Sequence, residues 1–366
     1  MNKATQLVLG NVLVFAVMLV IVEVILQVAG IGNFGSAPLN PDPVFHHVHP
    51  ADYTFVSYSP HEEFDPVEVR YDRQGYRVSG QEKAGWDRPW VAFLGDSFVE
   101  SNQVAYDSSF IGLLQAAYPG MRMRNFGVSS YSPALEYLVA RHHVFTQETL
   151  PARVFLLVYA NDVRDDEEYL AQGRFEGETL ARVDGGNPGQ LLDMVRRTNL
   201  FRLLRRTQIL ISYRMKAGEQ RTEQRVVRDQ VDENPDWTGS QSAVYVEKIA
   251  SLCEEKGIPF HLMAVPSKYA DFQKDYGYFS FPAKVAAWAE SRTIPYIDLA
   301  GPFQAWGEAG GSLLFFDHDI HFNHAGHAVV ARTIAPYLAE DPRKQDEGRY
   351  SAQDGLSTRR KKHSIW

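Results

Sequence analysis

An uncharged apolar run, Val91-Ala92-Phe93-Leu94, passes directly into Gly95-Asp96-Ser97 and then into a helix-compatible segment, Phe98-Val99-Glu100-Ser101. A strand without polar alternation is one covered on both faces, the mark of a parallel sheet. Parallel strands need crossover connections, most often helical, so this stretch commits the chain to alternating strand and helix. It also delivers a small polar turn to the carboxyl end of the strand, the edge at which open α/β sheets hold their ligands. Ser97 stands where unpaired backbone N–H groups and the helix dipole favour negative charge, and it is the candidate nucleophile. The competing reading of the same residues is a helix cap, a role that suits Asp and Ser equally.

The alternation continues from Pro89 onward. A helix is expected over 109–117, closed by Pro119-Gly120, then a strand over 121–126 ending in Asn125-Phe126-Gly127, and a helix from Pro133 to about Thr146. A third buried strand, 154–160, ends in Asn161-Asp162. Further on come a helix over 243–256, a strand over 259–265, a helix over 283–291, a strand over 295–299 and a last helix over 325–338. The pattern predicts a three-layer α/β/α sandwich around a mostly parallel five-stranded sheet, with three strand ends meeting in one crevice. Far down the chain, Phe316-Asp317-His318-Asp319-Ile320-His321 places an acid two residues before a histidine, just ahead of the last helix. That pairing supplies a general base and its orienting carboxylate, so Ser97, His321 and Asp319 form the expected triad, with Asp317 in reserve. The N–H groups of Ser97 and Gly127 and the side chain of Asn161 are the expected donors to a developing oxyanion, with Asp96 and Asp162 beside them.

Taken together, Gly95-Asp96-Ser97, Gly127, Asn161-Asp162 and Asp319-Ile320-His321 resemble the four ordered blocks of the SGNH (GDSL-type) hydrolase superfamily, over roughly 91–338. The resemblance implies a flavodoxin-like sheet and ester chemistry, with Ser97 as nucleophile, Gly127 and Asn161 in the oxyanion hole and His321 as base. The chain departs from the pattern twice. The third block, Tyr159-Ala160-Asn161-Asp162, lacks the usual glycine, and the acid stands two residues before the histidine, as in branches that include polysaccharide O-acetyltransferase relatives, instead of three. The rival Gly-x-Ser-x-Gly elbow is absent, because Val99 occupies the second glycine position. There is no Walker-type loop and no dinucleotide fingerprint, so no cofactor is expected.

His318, His321, His324 and His327 recur every third residue beside two aspartates, which leaves a metal site as the rival for the last block; none is expected, because a loop and a helix start scatter the rings. His46-His47-Val48-His49 poses the same question and is read as a loop. The single cysteine, Cys253, sits in an apolar helical run and is expected in the core. A net charge of −8 argues against nucleic acid as a partner.

Residues 7–31 are nearly all apolar, long enough to cross a bilayer, with Asn11, Glu23 and Gln27 as the polar intruders. Lys3 precedes the run and no Lys or Arg follows before Arg70, so the reading is an uncleaved single-pass signal anchor with everything after it extracytoplasmic. Glu23 is expected near the interface or against a partner helix in the membrane. The expected organisation is therefore 1–31 cytoplasmic N-terminus and anchor, 32–88 connector with a small β element, 89–340 catalytic domain carrying an insertion at 163–242, and 341–366 a disordered charged tail. Within the insertion, Asp165-Asp166-Glu167-Glu168 reads as solvated, and 191–215 as a basic amphipathic helix that packs on its own domain or lies on a membrane. The expected substrate is an acylated small molecule or a glycan, with the acyl group passing to water or to a sugar hydroxyl of an envelope polysaccharide. A non-catalytic subunit of an envelope complex is the reading from a different class.

Overall fold

The computed structural model describes residues 3–29, 31, 39–59, 61–80, 88–176, 179–182, 195, 198–216, 234–268 and 280–339. The charged tail 341–366 and the mixed-charge stretch 218–233 lie outside the described residues.

The first helix, α1 (Lys3–Val28), is exposed along most of its apolar length: Thr5–Val28 has a mean hydropathy of 2.7, and only its last turns, with Leu26 buried, pack against the rest of the chain. That is the composition of a membrane span or of a signal sequence. A hairpin follows, β1 (Asn40–Asp42) with β2 (His46–Val48), and then an antiparallel three-stranded sheet of β3 (Thr54–Ser57), β4 (Val67–Tyr71) and β5 (Arg77–Val78). In β4 the alternation covers one face: Val69 and Tyr71 are buried, whereas Glu68 and Arg70 are exposed. Gly75 closes the β4–β5 turn at φ +85°, and a side chain there would strike the His49 carbonyl at 2.6 Å.

The main sheet consists of β6 (Trp90–Gly95), β7 (Arg122–Gly127), β8 (Arg153–Val158), β11 (Phe260–Ala264) and β12 (Tyr296–Ile297), all parallel, in the order β12-β11-β8-β6-β7. Counted among these five alone, the order is 2-1-3-4-5, the flavodoxin-like arrangement whose switch point lies between β6 and β8. Every residue of β6 and β8 is buried, which is why those strands read as unbroken apolar runs. On one face lie α3 (Phe110–Ala117), α9 (Ala300–Glu308) and α10 (His324–Ala339). On the other lie α4 (Pro133–Val139), α5 (Asp162–Gln172) and α7 (Gln241–Glu255), with α8 (Ser280–Ser291) joining β11 to β12. Cys253 is fully buried in α7, as expected.

Two local readings change. The helix beginning at Pro133 holds α geometry only to Val139 and continues as a π-turn over Ala140–Val144. In the acidic run of α5, Asp166 is buried: it accepts from Ser132 Oγ (2.5 Å), Ala134 N (3.0 Å) and Ser242 Oγ (2.6 Å), tying α4 and α7 together. The insertion also contains the hairpin β9 (Gly173–Glu176) with β10 (Thr179–Arg182), and the amphipathic helix α6 (Asn199–Lys216). The partner of Glu23 belongs to this same chain: its carboxylate accepts the backbone N–H groups of Asn199 (2.8 Å) and Leu200 (2.9 Å), the first two residues of α6.

The connector reaches the main sheet through Arg77. Buried at the end of the small sheet, its guanidinium donates to the carbonyls of Glu100 (2.8 Å), Ser101 and Val104 (2.6 Å). One rigid fork thus satisfies three carbonyls of the segment that follows Ser97.

Candidate active site

Strand β6 ends at Gly95, where a Cβ would collide with Val99 and with the Leu157 carbonyl. Only glycine lets the chain turn so tightly into α2 (Ser97–Glu100), a single helical turn that stops at Ser101 in the left-handed conformation (φ 59°). Asp96 is the cap, its Oδ1 accepting from Phe98 N at 2.8 Å, and Ser97 is the first helical residue. The two readings of the motif are thereby divided between its two polar residues. Ser97 Oγ lies 2.7 Å from His321 Nε2. On the other side of the ring, His321 Nδ1 makes a short hydrogen bond to Asp319 Oδ1, which also accepts the His321 backbone N–H at 2.9 Å. Asp317 is not in this array: its side chain is exposed, and its carbonyl accepts from Lys268 Nζ at 2.6 Å.

The electrostatics follow from the pairing. Burial pushes the Asp319 carboxyl up, but the His321 charge, the two His321 hydrogen bonds and Lys268 outweigh it and hold the group below the usual carboxylate range. Burial pushes His321 down, yet Asp319 and the more distant Asp96 and Glu100 raise it above an ordinary imidazole. An imidazole held this way accepts the hydroxyl proton at Nε2 while Nδ1–H stays on the carboxylate.

The expected oxyanion donors fare unequally. The Ser97 N–H, an orphan of the first helical turn, meets no acceptor among the described residues. The Gly127 N–H is spent on Asn125 Oδ1 at 2.8 Å, so it is not offered to a ligand. Gly127 is glycine because α2 passes too close for a Cβ, which would meet Glu100 N at 2.4 Å. Three residues on, exposed Ser130 takes a left-handed conformation (φ 64°), and among the described residues its N–H faces no acceptor, while its carbonyl accepts from Tyr169 Oη at 2.6 Å. Ser130 N–H, overlooked in the sequence, is the free donor at this strand end. Asn161 Nδ2 donates to Asp165 Oδ2 at 2.7 Å, which leaves its second amide hydrogen for a ligand.

Three more residues join the site without a motif to announce them. Gln103 places its amide 3.0 Å from His321 Nδ1; turned over, the amide would set Oε1, buried without a partner, against the Nδ1 proton. Lys268, nearly buried just beyond β11, donates to the carbonyls of Asp317 and Asp319 (3.2 Å) and so ties down the loop that bears the acid and base. Glu100 is buried and accepts from Tyr71 Oη, from Ser129 N (2.7 Å) and Oγ, and from Asn102 Nδ2 (2.6 Å), with His49 Nε2 2.9 Å away. Burial raises its carboxyl, but His49 and the hydrogen bonds from His49, Ser129 and Tyr71 prevail and hold it at about 2. Behind Ser97 the balance is reversed. Burial pushes Asp96 and Asp166 up to about 6, and Glu136 and Asp162 well above the carboxylate range, with neighbouring acids adding to the rise.

The four histidines of the last block diverge. His318 stacks on His61, His324 is exposed, and His327 is buried with Nδ1 accepting from Phe110 N at 3.3 Å. Among the described residues, no three His, Cys, Asp or Glu side chains converge as metal ligands. In the connector, His47 donates from Nε2 to the Ser129 carbonyl (3.0 Å), whereas His49 faces Glu100.

No family model and no curated protein matches the chain. Among solved structures, it is similar to a lipolytic protein of the G-D-S-L family from Veillonella parvula, at 14% identity over 68% of this chain and 96% of that one, with a TM-score of 0.39. It is similar to an acetyl xylan esterase at 14% identity, covering 68% of this chain and 99% of that one, with a TM-score of 0.40. A catalytic mutant of an acetylxylan esterase from Geobacillus stearothermophilus is similar at 13% identity over 71% of this chain and 98% of that one, with a TM-score of 0.40.

Proposed function

We propose that this chain is a serine esterase of the SGNH (GDSL) type, acting on a short acyl ester, acetyl first, through Ser97, His321 and Asp319. The observation that carries the reading is the continuous line Ser97 Oγ, His321 Nε2, His321 Nδ1, Asp319 Oδ1 at the switch point of the sheet. His321 removes the Ser97 proton as Oγ attacks the ester carbonyl. The oxyanion forms against the N–H groups of Ser97 and Ser130 and the free hydrogen of the Asn161 amide. His321 then returns the proton to the leaving alkoxide, and a second acceptor takes the acyl group from Ser97 in the same manner, with His321 again as base. With water as acceptor the reaction is hydrolysis; with a sugar hydroxyl it is O-acyl transfer. By the resemblance of the sequence blocks, the acceptor or substrate is a glycan. The apolar length and exposure of α1, with a positive charge only before it, support a single-pass anchor and an extracytoplasmic catalytic domain.

The test uses the full chain in detergent with p-nitrophenyl acetate. Ser97→Ala is expected to lower kcat by about 10⁴ or more, without a change in thermal unfolding. Activity should be indifferent to a chelator. Acetyl transfer to an added oligosaccharide separates transferase from esterase. Turnover that survives Ser97→Ala but fails with chelator would refute the triad, and a folded chain without turnover would favour the non-catalytic subunit.

A further inference from the structure

Helix α6 begins on the anchor. Its first two N–H groups are held by Glu23, which lies five residues before the end of the apolar helix, about 7.5 Å at 1.5 Å per residue. The Asn199 side chain adds a bond to the Ile31 carbonyl at 3.0 Å. The start of α6 is therefore fixed at the depth of the last turns of α1. A carboxylate and open N–H groups at that depth satisfy each other, which removes the cost that either would carry alone beside lipid.

The rest of α6 suits the same boundary. At 100° per residue, Leu200, Leu204 and Ile211 fall on one side of the helix and Arg202 and Arg205 on another. Arg202 Nη1 donates to Tyr53 Oη at 2.9 Å, which turns the opposite side away from the connector. Leu204 and Ile211 are 61% and 53% exposed. The helix carries Arg202, Arg205, Arg206, Arg214 and Lys216 and no acid, in a chain whose net charge is −8.

We infer that α6 lies in the interface of the membrane that α1 enters, with Leu204 and Ile211 in the acyl boundary and Arg205 toward anionic headgroups. This rests on the reading of α1 as an anchor. It gives the catalytic domain a second attachment, so that the cleft is held at a set height and orientation over the bilayer instead of swinging on a tether.

The experiment reconstitutes the full chain in phosphatidylethanolamine/phosphatidylglycerol vesicles, with single cysteines at Phe15, Leu204, Arg205 or Ile211 carrying a nitroxide. Native Cys253 is fully buried and its thiol is pushed up to about 12, so the label goes to the introduced site. The positions are exposed, so the changes cost the fold little. Labels at 15, 204 and 211 are expected to collide several-fold more with oxygen than with an aqueous nickel chelate, and the label at 205 the reverse. If 15 is in lipid while 204 and 211 are as aqueous as 205, the inference is overturned and the anchor stands. If 15 itself is aqueous, the anchor reading falls and the inference with it.

Discussion

The chemistry of single residues fixes a pH profile. With neutral His321 as the proposed base, its pKa raised by Asp319 above the 6.5 of an ordinary histidine, kcat/KM should climb along an acid limb centred above 6.5. Asp319→Asn removes the largest of the charges that offset burial; the limb should move to lower pH while kcat falls by about 10³ to 10⁴, read from kcat/KM between pH 4.5 and 9. A limb that stays in place would mean that another group titrates. Backbone geometry at the next strand end makes a second claim. Gly127→Ala should destabilise by about 2 kcal/mol or more, because its Cβ meets the backbone of α2. Ser130→Gly relieves a left-handed serine and should gain about 0.5 to 1 kcal/mol while sparing activity, since the N–H persists; denaturant unfolding and turnover check both. Ser97 and the Asp319–His321 pair were each legible in the sequence because each signal is local, a turn after a strand and an acid two residues from a base, although the fold joins them across 224 residues. Ser130, Gln103 and Lys268 were not, because Gln103 meets His321 across 218 residues, Lys268 meets the Asp317 and Asp319 carbonyls across about fifty, and the free N–H of Ser130 rests on a φ that no residue type announces.

At the scale of elements, the buried strands declared themselves because two-sided burial admits only apolar residues, and β6 and β8 are buried throughout. Helix α5 did not, because its run of acids reads as solvated. One of those acids is a fastener: Asp166 accepts from the first turns of α4 and α7 at once, and of its three donors Ser132 Oγ and Ala134 N would otherwise be buried unpaired, whereas Ser242 Oγ also reaches the Asp162 carbonyl. Asp166→Ala should cost on the order of 3 kcal/mol, measured by urea unfolding, and loosen Asn161, just before the start of α5. Asp166→Asn should recover part of the loss, because burial already pushes the carboxyl up to about 6. Equal stability of Asp166→Ala and wild type would show that α4 and α7 hold without it. The same buried acids mark where reading by composition stops: Glu136 and Asp162 look like surface residues until the fold encloses them.

At the scale of the molecule, three layers on a 2-1-3-4-5 sheet bring β6, β7 and β8 to one crevice, and the alternating pattern of the chain was enough to expect that. The alliance between the connector and the crevice was hidden, since Arg77, Tyr71 and His49 find Glu100 and its neighbours only through folding. It predicts that the two sides stay together when the chain is cut between residues 80 and 88. A single cut there should yield two fragments that co-elute in native size exclusion, remain active and separate only in denaturant, as the buried Arg77 fork and the Glu100 cluster join them. Arg77→Met should let the nicked pieces part. On the co-eluting, active outcome the ribbon that follows α1 is a subunit that happens to be covalently attached, and a protease can remodel the linkage without silencing turnover.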